Sequence, residues 1–396
     1  MRLYNYHSHK GESMEKYILK NALICNPVPG GAVKMDVLIE DGKFAKIAPS
    51  IELPGVETRD LAGKYLYPGF IDAHCHIGLS DYAYNQRDYN EKSDPVTPQL
   101  RALDAFDPFN PSNTHGVRGG VTSFATGPGS SNVIGGTFIV VKPVPGATSV
   151  EEMAVSQSVA MKAALGENPK NLHSAKITSR MNSAALMREA LIKAKEYNMK
   201  MEKAESGEGD PPAFDMKNDA LRKVIQKKMR LKVHCHQAND ILTAVRIAKE
   251  FDIDITLDHC TEGHLIAHHL GKAGYPAAVG PGICFPKKME MQNKSLTTAG
   301  ALAKAGCMVS IITDAPVMEQ EYLPLMAARA MDEGMDALEA FKAITINPAK
   351  MLGLEDRIGS IEEGKDADYL ITTSDPIKNF SANVIEEVFI NGIKAL

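Results

Sequence analysis

The sequence predicts an α/β fold, a (β/α)8 TIM-like barrel carrying a small β-sandwich domain built from both chain ends. Three observations predict it. Short apolar runs alternate with helix-like stretches through the middle of the chain, both ends are strand-rich instead, and histidines and acids recur at the tips of the central runs. Alternation sustained over roughly 290 residues is the pattern of a parallel sheet covered by helices, and that length suits an eight-stranded barrel.

In chain order, residues 1–13 fit neither part and read as a leader, although they hold a His-x-His at His7 and His9. From Met14, "KYILKNALIC", "KMDVLIEDGKFAKIAP" and "VETRDLAGKYLYPG" are Ile/Val/Leu-rich runs broken by Gly, Asp and Pro. Such runs mark antiparallel strands, with "EDGK" (40–43) as a hairpin turn. The C-terminus returns to this style and repeats the signal at Asn391-Gly392. Residues 14–67 and 357–396 are therefore expected to form the β-domain, and 68–356 the barrel. Within the barrel, "GVTSFATG", "TFIVVKP", "LKVHCH", "DITLDHC", "YPAAVGP" and "MVSIITD" read as strands, and "NSAALMREALIKAKEY" and "DILTAVRIAKEF" as helices. The polar stretch near 80–115 follows the first barrel strand and is long enough to serve as a lid. The basic stretch "LRKVIQKKMRLK" (221–232) reads as an amphipathic helix with a solvated basic face.

Bulk properties narrow the function. Apolar residues make up 44% of 396, and the formal charge is −5. That balance gives no electrostatic footprint for nucleic acid or anionic lipid. No run approaches the ~18 apolar residues of a membrane span, and no secretory h-region is visible, so a cytoplasmic enzyme is expected. Six cysteines in so long a chain are too sparse for a disulfide framework and read as reduced thiols.

The chemistry gathers at strand tips. In "PGFIDAHCHIGL" (68–79), alternation puts His74 and His76 on one face, with Asp72 one pleat deeper and Cys75 opposite. His234 ends "LKVH", His259 ends "DITLDH", Asp314 ends "MVSIITD", and Glu167 in "MKAALGENPK" closes another short apolar run. One buried histidine would read as a hydrogen-bonded core residue. His-x-His, acid, His, His and Asp at matching tips point to a divalent metal. Cys75, Cys235 and Cys260 beside these positions read as small buried fillers.

"PGFIDAHCH" resembles the opening motif of the amidohydrolase superfamily of metal-dependent hydrolases, and "TINPAKMLGLEDRIGSIEEGKDADYLI" (345–371) resembles its barrel exit. The likeness runs from about residue 17 to the C-terminus and is nearest the imidazolonepropionase-and-related branch, which includes prolidase-like members. It implies that His74 and His76 hold one metal. It also implies that His234 and His259 hold a second, or that one of them ligates while the other polarises the substrate carbonyl. Asp314 resembles the aspartate that binds metal and moves the proton. Glu167 is the favoured bridging ligand, with a carboxylated Lys162 as the alternative. Zinc is the first expectation, one or two ions, with manganese, iron or cobalt compatible. A homo-oligomer acting on a small molecule is what the resemblance implies.

Around this centre, His236, Gln237, Asn132 and Arg180 are candidate substrate contacts, with Ser130 beside Asn132 in the glycine-rich "GPGSSNVIGG" (127–136). Ring deaminases related in this strand carry a glutamate three residues after its histidine. Gln237 stands there instead and cannot shuttle a proton. Hydrolysis of an amide in a dipeptide, N-acyl amino acid or cyclic amide is favoured over deamination or imidazolone opening. A non-catalytic assembly role would be expected to lose ligands, and none is lost.

Overall fold

The computed structural model describes residues 16–83, 87–380 and 384–396; His7, His9 and the rest of the expected leader lie outside them. Strands β1 (Lys16–Ile24), β2 (Val33–Glu40), β3 (Lys43–Ala48), β4 (Glu57–Asp60) and β5 (Tyr65–Pro68) open the chain. The central sheet contains β6 (Phe70–Cys75), β7 (Val121–Thr126), β8 (Ile134–Val141), β9 (Ala154–Ala164), β10 (Arg230–Cys235), β11 (Ile255–His259), β12 (Ala277–Val279) and β13 (Val309–Ile311). The chain ends with β14 (Tyr369–Thr372), β15 (Ile385–Ile390) and β16 (Ile393–Lys394).

The strands of both ends hydrogen-bond into one sheet, β16-β15-β14-β5-β1-β2-β3, with β4 beside β1. Both expected hairpin turns form. Asp41 and Gly42 have φ of 51° and 71°, and Asn391 and Gly392 have 50° and 72°. Two consecutive positive φ values match the twist of paired strands, which is what Asp-Gly and Asn-Gly provide. The two turns touch, since a Cβ on Gly42 would lie 3.0 Å from the Asn391 carbonyl oxygen. Tyr17, Leu19, Phe44, Tyr369 and Phe389 form an apolar cluster on this sheet.

The central sheet runs β6 through β13 in sequence order and is nearly closed. Just past β13, the Asp314 amide donates to the His74 carbonyl at 3.1 Å and the His76 amide to the Ala315 carbonyl at 2.7 Å. One element departs from a uniform (β/α)8 barrel: β8 pairs antiparallel with both β7 and β9, while the other neighbours are parallel. The reason is connection length. Residues 127–133 are too few for the crossover of a dozen or more residues that a parallel return needs. "GPGSSNVIGG" is thus a hairpin connection inside the sheet.

The stretch 221–232 also splits. Its first five residues close the helix Met216–Ile225, whereas Lys232 lies in β10 and is fully buried. Among the described residues no helix is long and apolar enough to cross a membrane.

Candidate active site

The site lies where the barrel strands end. Alternation along β6 turns His74 inward and Cys75 into the cluster of Ile77, Phe124 and Val141. Asp314 Oδ1 lies 3.2 Å from His76 Nε2 and 3.6 Å from His74 Nε2. His74 Nδ1 is 2.7 Å from Asp258 Oδ2, and His76 Nδ1 is 2.8 Å from the Gly127 carbonyl. A carboxylate or carbonyl can only accept, so both rings carry their proton on Nδ1 and present an Nε2 lone pair. Tyr89, from the long connection after β6, stacks on His76 with ring centroids 4.9 Å apart.

A second group adjoins the first. The ring centroids of His234, His236 and His259 are 4.5–4.9 Å apart, and the His74 and His259 rings are 5.3 Å apart. His259 Nδ1 donates to the Gly280 carbonyl at 2.7 Å, which again leaves Nε2 as the lone pair. His236 Nδ1 meets Thr261 Oγ1 at 2.7 Å. His259, Cys260 and Asp314 have φ of 73°, 46° and 53°. Such left-handed non-glycine residues cost on the order of 1–3 kcal/mol each and concentrate at functional sites.

Burial sets the charge states. It pulls His74, His234 and His236 well below the usual 6.5, so the rings are neutral at neutral pH. Burial alone would raise Asp314, but positive charge on the His259, His76 and His74 rings outweighs it, so the carboxyl falls well below the usual carboxylate range when those rings are protonated. Burial brings the Lys162 ammonium down to about 8; its Nζ lies 3.2 Å from His74 Nε2. Asp72 is pushed up to about 6 by burial, against hydrogen bonds from Thr313, the His74 amide and Gln320.

Two atom groups could each hold a cation: His74, His76 and Asp314, and His234, His236 and His259, each with ligand atoms within 4.8 Å of one another. The donor chemistry fits, because neutral imidazoles with a carboxylate are what zinc and similar divalent ions take. Two further atoms fit as well. His234 Nδ1 and His259 Nε2 are buried with no hydrogen-bond partner, which is rare for polar atoms unless something else satisfies them.

Not every predicted residue lands here. Glu167 opens the helix Glu167–Leu172, near Arg180, Asp240 and Glu290, whereas Lys162, inside β9, reaches His74. Five residues and a turn at Gly166 carry Glu167 past the strand face. Arg180 is held by Asp240, Nε to Oδ2 at 2.9 Å. Asn132 is occupied too: its amide donates to Thr97 Oγ1 at 2.6 Å, and its oxygen lies 2.7 Å from His173 Nε2. Its role is to pin the hairpin connection. Gln237 precedes the helix Ala238–Phe251 without capping it. Cys75, Cys235 and Cys260 are buried free thiols.

Asp258, Lys232 and Glu290 were not visible as site residues. Asp258 precedes His259, so strict alternation puts one of them outside the barrel. The left-handed backbone at His259 breaks the alternation, and both side chains face the interior histidines.

An eight-stranded barrel with histidines, an aspartate and a buried lysine gathered at its strand tips is the architecture of a barrel hydrolase. Residues 65–394 match the amidohydrolase family, and the chain belongs to it. An amidohydrolase from Thermotoga maritima MSB8 has a crystal structure that superposes with a TM-score of 0.90 at 39% identity, covering 96% of this chain and 99% of that one. The amidohydrolase tasK of Hapsidospora irregularis is 28% identical over 422 residues, which span 95% of this chain but 42% of that protein, so the chain spans less than half of that relative. A prolidase crystallised with N-methylphosphonate-L-proline shares the fold, with a TM-score of 0.61 at 16% identity over 96% of this chain and 99% of that one.

Proposed function

We propose that the protein is a metal-dependent hydrolase that cleaves the amide C–N bond of a small molecule such as a dipeptide, an N-acyl amino acid or a cyclic amide. The observation that carries the reading is the pair of buried, partnerless nitrogens, His234 Nδ1 and His259 Nε2, among rings that burial keeps neutral. His74, His76 and Asp314 would hold one ion, and His234, His236 and His259 the other. Lys162 is the candidate to join them after its amine adds to CO2 and loses a proton, giving a carbamate. Divalent metal, when bound, polarises the carbonyl and makes hydroxide available from water at neutral pH.

The chain's own residues do the rest. Asp314, as a carboxylate, accepts the proton of the attacking water and returns it to the leaving nitrogen. Asp258 keeps the His74 proton on Nδ1, so that Nε2 stays a ligand. Tyr89 covers the His76 ring and limits its access to water.

Elemental analysis of the wild type, Lys162→Ala and Glu167→Ala tests this, followed by amino-acid release from dipeptide and N-acyl libraries. Two ions per chain are expected in the wild type and in Glu167→Ala, with one or none in Lys162→Ala. Release should vanish in Lys162→Ala and survive in Glu167→Ala. Absence of bound metal after loading under reducing conditions would sink the reading, and ammonia released from nucleobases would replace it with deamination.

A further inference from the structure

We propose that Glu290 sets the specificity of this site by receiving the free α-ammonium group of the substrate, so that unblocked aminoacyl amides are preferred over N-acylated ones. The proposal rests on the amide-hydrolase reading above and names the substrate class within it.

Glu290 lies in the short helical turn Met289–Met291, in the connection after β12, and is fully buried. Its two oxygens differ. Oε2 accepts from the Glu167 amide at 2.8 Å. Oε1 has no hydrogen-bond partner, yet it points toward the site, 3.8 Å from His236 Nε2. One oxygen is therefore anchored, and the other is aimed at the histidine group without a hydrogen bond. The His234–His236–His259 group closes without it, which places Glu290 one residue out from that group, where a substrate substituent would lie.

The backbone is built to allow this placement. A Cβ on Gly166 would lie 2.5 Å from Glu290 Oε2 and 3.2 Å from Asp240 Oδ2, so glycine there is what lets the carboxylate approach. Nearby cations make no hydrogen bond to Oε1. Arg180 spends its Nε on Asp240, and its Nη2 is 3.8 Å from the other oxygen, Oε2. Lys288 Nζ, on a partly exposed side chain, pairs with Oε1 at 3.5 Å, and the substrate's ammonium would take over or share that place.

The chemistry of an occupant follows. A buried acceptor that lacks a donor selects a ligand that supplies one and rejects a close analogue that cannot. An ammonium group supplies both the donor and the opposite charge. In an α-aminoacyl amide, that group stands two bonds from the carbonyl carbon, so a carbonyl at the histidine group puts it beside His236. An N-acyl cap removes the charge and adds bulk, and a carboxylate would meet Oε1 as a like charge.

Binding of leucine hydroxamate and of its N-acetyl derivative to zinc-loaded protein, measured by calorimetry, tests the assignment in wild type and Glu290→Gln. The wild type is expected to prefer the free amine at least tenfold. Glu290→Gln should bring the ratio to about one with zinc content unchanged. A wild-type ratio near one or reversed, with both probes bound, overturns the proposal alone. So does a preference that persists in Glu290→Gln, or zinc lost from that variant, which would make Glu290 a ligand. Failure of both probes to bind zinc-loaded protein overturns the proposal together with the reading beneath it.

Discussion

His74 Nδ1 lies 2.7 Å from Asp258 Oδ2, and Lys232 Nζ lies 3.1 Å from that same oxygen. All three side chains are almost fully buried, and Thr256 Oγ1 donates to the other oxygen of Asp258 at 2.9 Å. The carboxylate fixes the ring's tautomer and orientation, and the lysine stabilises the carboxylate inside the barrel. Burial would raise Asp258, but Lys232 and His74 hold it well below the usual carboxylate range.

Replacing Asp258 with Asn keeps an acceptor for Nδ1 and removes the charge. The ring then loses basicity and Lys232 is left a buried cation without its partner. Metal affinity is expected to fall about 10–100-fold, as for other carboxylates behind a ligating histidine. Competition with a chelator of known affinity measures it. Unchanged affinity would mean that Asp258 serves the fold alone.

The strand tips were legible in the sequence because apolar runs with terminal histidines carry a period. His74, His76, His234, His259 and Asp314 all arrive at one place for that reason. What period could not show was whatever depended on a break in it. Asp258 was hidden by the left-handed turn at His259, and Glu167 was misplaced because Gly166 ends the strand face before it. Lys232 read as surface charge because its partner lies on the neighbouring strand. The antiparallel β8 was readable in principle, since seven residues cannot carry a parallel crossover.

Lys142, just past β8, ties the barrel to the terminal sheet. Its Nζ lies 2.8 Å from Asp366 Oδ2, 2.8 Å from Asp368 Oδ2 and 2.7 Å from Asn391 Oδ1. Lys142→Met would leave two buried carboxylates without their shared cation, a loss of about 3–5 kcal/mol at neutral pH. Burial would raise Asp366, but Lys142 and Arg357 lower it. A lowered carboxyl stabilises the fold above its unfolded value of about 3.9 and loses that contribution as pH falls through the folded value. Asp368 is raised by burial, so its cost appears as pH rises. The gap between wild type and variant should therefore be widest near neutrality and narrow toward about pH 4. Urea melts at both pH values check this, and a gap independent of pH would show that lost packing dominates.

Gly166 and Gly146 separate backbone strain from crowding. Both have positive φ, 86° and 81°, so alanine is strained at either position. Nothing lies within 4 Å of a Cβ on Gly146, and its replacement should cost only the backbone penalty, about 1 kcal/mol. A Cβ on Gly166 meets Glu290 Oε2 at 2.5 Å, so Gly166→Ala must also push the carboxylate away and break its bond with the Glu167 amide. Its loss should exceed that of Gly146→Ala by about 1–3 kcal/mol, the cost of an unpaired buried polar group. Bound metal should be retained, because the histidine ligands are untouched. Thermal melts of both variants, with metal content measured on the same samples, decide the matter. Equal losses would mean that the Glu290 loop moves freely, and that the close approach of Gly166 does not hold its carboxylate in place.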